Sequence, residues 1–125
     1  MTASVYFDAE QQHVTVLSGD VVTRDSMGQT GHAIIANLAQ HECGRLLIDM
    51  RHARMDLAVE ETTIFVDRLM NGVQCNLAIA VVINDSINDH YEHIASYILA
   101  SPFELAMFHK LKDANTWLRN LRAAA

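Results

Sequence analysis

The seven-residue run Leu77-Ala78-Ile79-Ala80-Val81-Val82-Ile83 constrains this chain more than any other feature. It is rich in β-branched residues, shows no polar alternation and has Asn76 and Asn84 at its ends. A strand of this kind is buried on both faces, which places it inside a parallel sheet covered by helices. It is far too short to cross a bilayer, which takes roughly 20 apolar residues. The run predicts a strand over 76–83 at the centre of the sheet. Leu46-Leu47-Ile48, closed by Asp49, is a second run of the same character and predicts a strand over 45–50.

The N-terminal strands read differently. Residues 5–7 and 13–17 are short and alternate, with Val14 and Val16 on one face and Thr15 on the other. They predict an antiparallel hairpin, closed off by Ser18-Gly19-Asp20. Four helices follow from the 3.6-residue period. The first, over 24–41, is capped by Thr23, carries Asp25 at its positive end, and has Met27, Ile34, Ile35 and Leu38 on one stripe. Gly44 is its natural stop. Gly28 and Gly31 inside it cost up to about 1 kcal/mol each relative to alanine. They imply either close approach of another backbone or a late helix start, the second being preferred. Asp56 caps a helix over 57–71, with Glu60 and Glu61 near its positive end and an inner stripe of Leu57, Phe65 and Leu69 beside Ile64; Asn71-Gly72 ends it. Asn84 to Ser86 is a turn and cap for a helix over 87–100, whose inner face is Ile87, Tyr91, Ile94 and Ile98. Ser101-Pro102 stops it. A last strand runs over 103–108, and Asp113 opens a closing helix with Ala114, Trp117, Leu118 and Leu121 on one face. A hairpin followed by alternating helices and strands is an α/β fold with right-handed crossovers: a mixed sheet of about five strands with four helices.

At 125 residues the chain is one domain's length, 1–125, and buries about two thirds of its unfolded surface. Half of it is apolar, which excludes disorder. Fifteen acidic residues against nine basic give a net charge of −6 with no basic cluster, which argues against a nucleic-acid partner. The N-terminus lacks a basic segment followed by a long apolar one, so a cytoplasmic protein without membrane insertion is expected. In that compartment Cys43 and Cys75 are expected as free thiols packed like small hydrophobes.

Three local features carry a family resemblance. Thr23 follows a strand and has Asp25 just inside its helix; Leu46-Leu47-Ile48-Asp49 is a buried strand ending in aspartate; and Phe108, Asp113-Ala114 and Trp117-Leu118 form a strand, polar turn and helix that packs an alanine and a Trp-Leu pair. In these features and in element order the chain resembles the STAS domain, the fold of bacterial anti-sigma-factor antagonists. It is most similar to the SpoIIAA-like branch, whose architecture is related to lipid-binding CRAL-TRIO proteins. The resemblance implies a regulatory or interaction domain. Signalling members carry a phosphorylatable serine at the start of the helix after the second buried strand. Here that position falls near Asp56-Leu57-Ala58, and the nearest hydroxyls are Thr62 and Thr63. The usual serine switch is therefore not expected.

Two polar clusters stand out. Asp49, Arg51, His52, Arg54 and Asp56 lie just past the carboxyl end of an inner strand, where open α/β sheets place ligands. His52 between carboxylates suits acid–base work; the competing reading is a charged loop. Asp89-His90-Tyr91-Glu92-His93 puts two histidines at i, i+3. A closed zinc site needs four ligands, so the competing reading there is a solvated helix end. No nucleophile elbow, phosphate loop or dinucleotide fingerprint is present, and no cofactor or metal is assigned. The first hypothesis is thus a non-enzymatic domain that binds a protein partner through Asp49, Arg51, His52, Arg54, Asp56, Glu60 and Glu61, with Asp67 on the same helix. A basic partner patch would suit the −6 charge. The second is a carrier or sensor of a small apolar, lipid-like molecule, held between the sheet and the helices that begin near Asp56 and Ile87, with Met55, Phe65 and Met70 as lining. A small hydrolase or metal enzyme built on His52 or on His90 and His93 ranks last. The edge hairpin or the second helix offers a face for a two-fold homodimer.

Overall fold

The computed structural model describes residues 3–19, 21–73, 76–99 and 101–124. Cys75 and the predicted helix end at residue 100 lie outside them. The hairpin forms as read: β1 (Ser4–Asp8) pairs antiparallel with β2 (His13–Leu17), Ser4 opposite Leu17 and Asp8 opposite His13. Asp8 builds the turn, its carboxylate accepting the Glu10 and Gln11 amides at 3.0 Å each. After a two-residue β3 (Val21–Val22) come α1 (Arg24–Gln40), β4 (Arg45–Asp49) and a two-residue β5 (Arg54–Met55). Then follow α2 (Thr62–Gly72), β6 (Ala78–Val82), α3 (Asn88–Ile98), β7 (Glu104–Phe108) and α4 (Leu111–Ala124). Short 3-10 turns at Val59–Glu61 and Asp85–Ile87 lead into α2 and α3.

The main sheet has the order β1-β2-β4-β6-β7, with every pair after the hairpin parallel. The strands therefore advance in one direction. Right-handed crossovers along such a march put every connecting helix on the same face. The packing agrees: α1, α2 and α3 cover one face through Val14, Val16, Leu46, Ile79, Val81 and their neighbours. The opposite face has α4, whose fully buried Ala114 and Leu118 meet Leu47, Ala80 and Val82. Burying Leu118 there stabilises by about 2 kcal/mol, and Leu118→Asp would remove the anchor.

The apolar run 77–83 has parallel neighbours on both sides, as predicted, but it is not the midline. That strand is β4; β4 and β6 carry similar apolar runs, and only the pairing order separates them. The α1 cap is as read. Thr23 Oγ1 accepts the Ser26 amide (3.1 Å) and Ser26 Oγ accepts the Thr23 amide (2.9 Å), a reciprocal capping box. Gly44 does not end this helix. Glu42 does, at φ 48°, while the Glu42 amide donates to Ala39 (3.3 Å) and the Cys43 amide to Leu38 (2.9 Å). This is a Schellman arrangement with glutamate where glycine is usual. The late-start reading of Gly28 and Gly31 is also overturned, because the helix begins at Arg24. Their missing Cβ atoms make room for Arg68 and Phe65 of α2, and Arg68 Nη1 donates to the Gly28 carbonyl (3.2 Å).

The second helix starts five residues later than predicted. Asp56 does not cap it. The Asp56 amide donates instead to the Val22 carbonyl (2.7 Å), extending the β3–β5 ribbon. The Glu61 carboxylate reaches back to the Ala58 amide (2.8 Å) and shapes the 3-10 turn. The inner stripe of α2 is consequently Thr62, Val66 and Leu69, with Phe65 partly buried, and Ile64 is left outside at 50% exposure.

Candidate functional site

Three connections meet at the carboxyl ends of the parallel strands. They follow β2 (from Ser18), β4 (from Met50) and β6 (from Ile83). The β3–β5 ribbon joins the first two, Val21 and Val22 pairing with Arg54 and Met55. Asn84 joins the last two. Its side-chain amide donates toward the carbonyls of Arg51 (2.9 Å), Ala53 (3.1 Å) and Met50 (3.3 Å), while its Oδ1 accepts the Ser86 amide (2.9 Å). One side chain thus holds the 50–53 loop and caps the next turn.

Beneath these connections, between the sheet and α1–α3, lies an apolar cavity of about 70 Å³. The sheet contributes Val16, Ile48, Ile79 and Val81; the connections contribute Met50, Met55 and Ile83; Phe65 and Val66 come from α2 and Tyr91 and Ile94 from α3. A single water occupies about 10–15 Å³ on this measure, so the space suits a solute of a few heavy atoms. Of the predicted lining, Met55 and Phe65 face the cavity; Met70 packs against the core elsewhere.

Among the described residues the polar lining is sparse: Ser18, Ser26, Thr30, His90 and Tyr91. Ser26 is occupied by the α1 cap. Burial raises the Tyr91 hydroxyl pKa above its usual 10 and keeps the phenol neutral. His90 Nε2 lies 3.0 Å from the Leu57 carbonyl. Its other nitrogen, Nδ1, is buried without a hydrogen-bond partner among the described residues. The polar-cluster reading missed this placement, although the signal was present: Ile87, His90, Tyr91 and Ile94 fall at the 0, 3, 4, 7 spacing of an inward helix face. His93 Nε2 is likewise buried without a partner, and its ring lies 6.4 Å from that of Tyr97. No group of three or more His, Cys, Asp or Glu side chains gathers as a metal site among the described residues.

The charged candidates occupy the connection after β4. Asp49 is turned inward, 6% exposed, and accepts Arg51 Nε (3.0 Å) and Nη2 (2.9 Å). This pairing raises the Arg51 pKa further through the hydrogen bond and the adjacent negative charge. The pair shapes the loop. His52, Arg54, Asp56, Glu60 and Asp67 are exposed. Glu61 holds Ala58 and sits 3.7 Å from Arg24, an exposed contact worth little. Because α2 begins at Thr62, both threonines lie in its first turn. Thr62 is fully buried, donating to Val59 (2.5 Å), while the partly buried Thr63 donates to Glu60 (2.7 Å).

Elsewhere, Cys43 is a buried free thiol donating to the Arg45 carbonyl (3.3 Å). A buried network on the α4 side was not foreseen: His13 lies 3.1 Å from both Thr15 Oγ1 and Asn115 Oδ1. No helix among the described residues is long and apolar enough to cross a membrane. Tyr6 and Leu17, each 42% exposed, lie on the hairpin.

The chain matches no protein-family profile and no curated protein. Among solved structures it is similar to an uncharacterized protein of the DUF3478 family with a SpoIIAA-like fold, from Shewanella loihica PV-4. The two are 14% identical, the match covers 94% of this chain and 92% of that one, and the TM-score is 0.61. The mixed five-stranded sheet, the four helices and this likeness converge on one architecture: the chain has a SpoIIAA-like fold.

Proposed function

We propose that this SpoIIAA-like domain is non-enzymatic and carries or senses a small apolar molecule. The observation that supports the reading is the cavity beneath the carboxyl-end connections, lined by Met55, Phe65, Val81 and Ile94. It lies toward the carboxyl ends of the parallel strands, the end of an α/β sheet at which ligands are usually met. Its size fits a short solute; a longer, lipid-like chain would require α2 and α3 to part. The domain works in the cytoplasm, does not insert into a membrane and does not bind nucleic acid, in keeping with its −6 charge.

Methyl NMR under xenon pressure tests the reading. Xenon enters apolar voids. The methyls of Val16, Val81 and Ile94 should shift, and those of Val14 and Leu118, which do not line the cavity, should stay put. Unmoved cavity methyls would refute it. Native mass spectrometry of the purified protein then asks whether a cellular adduct is retained.

A second reading, binding of a protein partner, is favoured by one observation. Met50 and Met55, which line the cavity, flank the exposed His52 and Arg54. Occupancy and a charged docking surface extending through Asp56 and Glu60 would then share one segment. Charge reversal by Glu60→Lys should abolish capture of such a partner, and undiminished capture would remove this surface. A homodimer through Tyr6 and Leu17 of the hairpin is the corresponding proposal for self-association, tested by sedimentation of Leu17→Lys.

A further inference from the structure

We infer that the cavity selects a ligand bearing a neutral hydroxyl, and that His90 Nδ1 is the group that recognises it. The inference rests on the ligand-binding reading above and names the ligand's chemistry.

His90 Nε2 sits against the Leu57 carbonyl. A carbonyl can only accept, so the 3.0 Å contact requires His90 Nε2 to carry the hydrogen. In a neutral imidazole the other nitrogen is then a bare acceptor. That nitrogen is buried and has no partner among the described residues. His90 lies on the cavity wall beside Tyr91, Ile87 and Ile94, where the described residues present a mainly apolar surface. A buried acceptor without a donor is destabilising. A hydrocarbon entering the cavity would leave that deficit in place. A carboxylate would set negative charge against a lone pair. An O–H group fits both features at once, with its chain on the valine and isoleucine lining and its hydrogen on Nδ1. Backbone geometry fixes the tautomer, since Leu57 lies in the connection that leads into α2.

The test compares three probes of equal chain length on the intact protein by NMR titration: 1-butanol, 1-fluorobutane and butyrate. Butanol should bind about tenfold more tightly than fluorobutane, the difference one net hydrogen bond makes. On binding, the His90 Nδ1 resonance should move in the direction of an acceptor gaining a donor, with Nε2 still protonated. His90→Gln places an amide N–H near the Nε2 position, so it retains the donor to Leu57 and removes the Nδ1 acceptor; the butanol preference should fall to within about twofold. The wild-type comparison stands whether or not that variant folds. Equal binding of butanol and fluorobutane would overturn the role of His90 and leave the cavity reading intact. Tighter binding of butyrate would overturn it in favour of a cationic imidazole. Failure of all probes together with failure of xenon would remove the cavity reading itself.

Discussion

Val14 and Val16 provide a controlled pair for testing whether the void is real. Both lie on β2, both are 0% exposed, and both pack toward the face covered by α1–α3. Val16 lines the cavity and Val14 does not. Valine and isoleucine have similar strand preference, so replacement with isoleucine adds one methylene and little else. In Val16→Ile that methylene enters empty space and should stabilise by about 0.8 kcal/mol. Filling the full 70 Å³ would set a ceiling of about 1.7 kcal/mol at roughly 24 cal/mol per Å³. In Val14→Ile the same group has nowhere to go and should cost about 1–3 kcal/mol through overpacking. The two variants should therefore differ by roughly 2–4 kcal/mol. Urea unfolding at unchanged m-value measures this directly. By thermal melting the separation should be on the order of 10 °C, with Val16→Ile on the stable side of wild type. The xenon shift should also weaken in Val16→Ile. If Val16→Ile loses stability as Val14→Ile does, the space is filled in solution and the ligand reading loses its basis.

Three further outcomes follow from single contacts. Asn84→Asp keeps the acceptor for the Ser86 amide but replaces the donor shared among Met50, Arg51 and Ala53 with negative charge. It should cost about 2–3 kcal/mol and speed hydrogen exchange at the Ala53 amide; unchanged exchange would dissociate Asn84 from the loop. Glu42→Gly relieves a left-handed backbone position and removes an acid from the negative end of α1, so it should add about 0.5–1 kcal/mol in urea unfolding, and a loss would contradict the Schellman assignment. Burial raises the Tyr91 pKa above 10. Above about pH 10 the unfolded chain therefore releases a proton that the folded chain keeps, and stability falls as pH rises through the folded value. Tyr91→Phe should lessen that alkaline decline, and an identical decline in both proteins would show that the phenol is not sheltered.

The strands and helices were legible because their signals are local. The uniform run at 77–83 and the alternation of Val14, Thr15 and Val16 each specify how many faces are covered without reference to the rest of the chain. Thr23 and Ser26 cap each other across three residues, again a local event. The failures are of the opposite kind. The midline of the sheet depends on which of two similar apolar strands sits between the other strands. The β3–β5 ribbon pairs Val21 with Arg54, thirty-three residues apart, with two residues on each side and no periodicity to read. Asp56 is an excellent cap by composition, but its amide is drawn to Val22 by that ribbon. The α-helix begins only at Thr62, with Val66 rather than Ile64 turned to the core.

The same distinction governs how much of the candidate cavity is legible in the sequence. Met55 and Phe65 were readable as apolar residues near the carboxyl ends of parallel strands. His90 was read with its polar neighbours Asp89 and Glu92, because its partner, the Leu57 carbonyl, is thirty-three residues away. Its position between Ile87 and Ile94 on the inward face was nevertheless present in the spacing. Two destabilising features then coincide at one wall of the sheet: a void that a single methylene could reduce, and a histidine nitrogen with no donor among the described residues. Either alone is common in proteins, which are rarely near their stability optimum. The small hydroxyl-bearing molecule proposed above would answer both at once, filling the space with its chain and the nitrogen with its hydroxyl. On the α4 face, Ala80 and Ala114 let helix and sheet approach closely, and His13 finds contacts with both Thr15 and Asn115. On α3, by contrast, His90 and His93 each leave one nitrogen without a partner among the described residues, and of the two only His90 lines the cavity, which is why the proposed ligand is sought beneath α3.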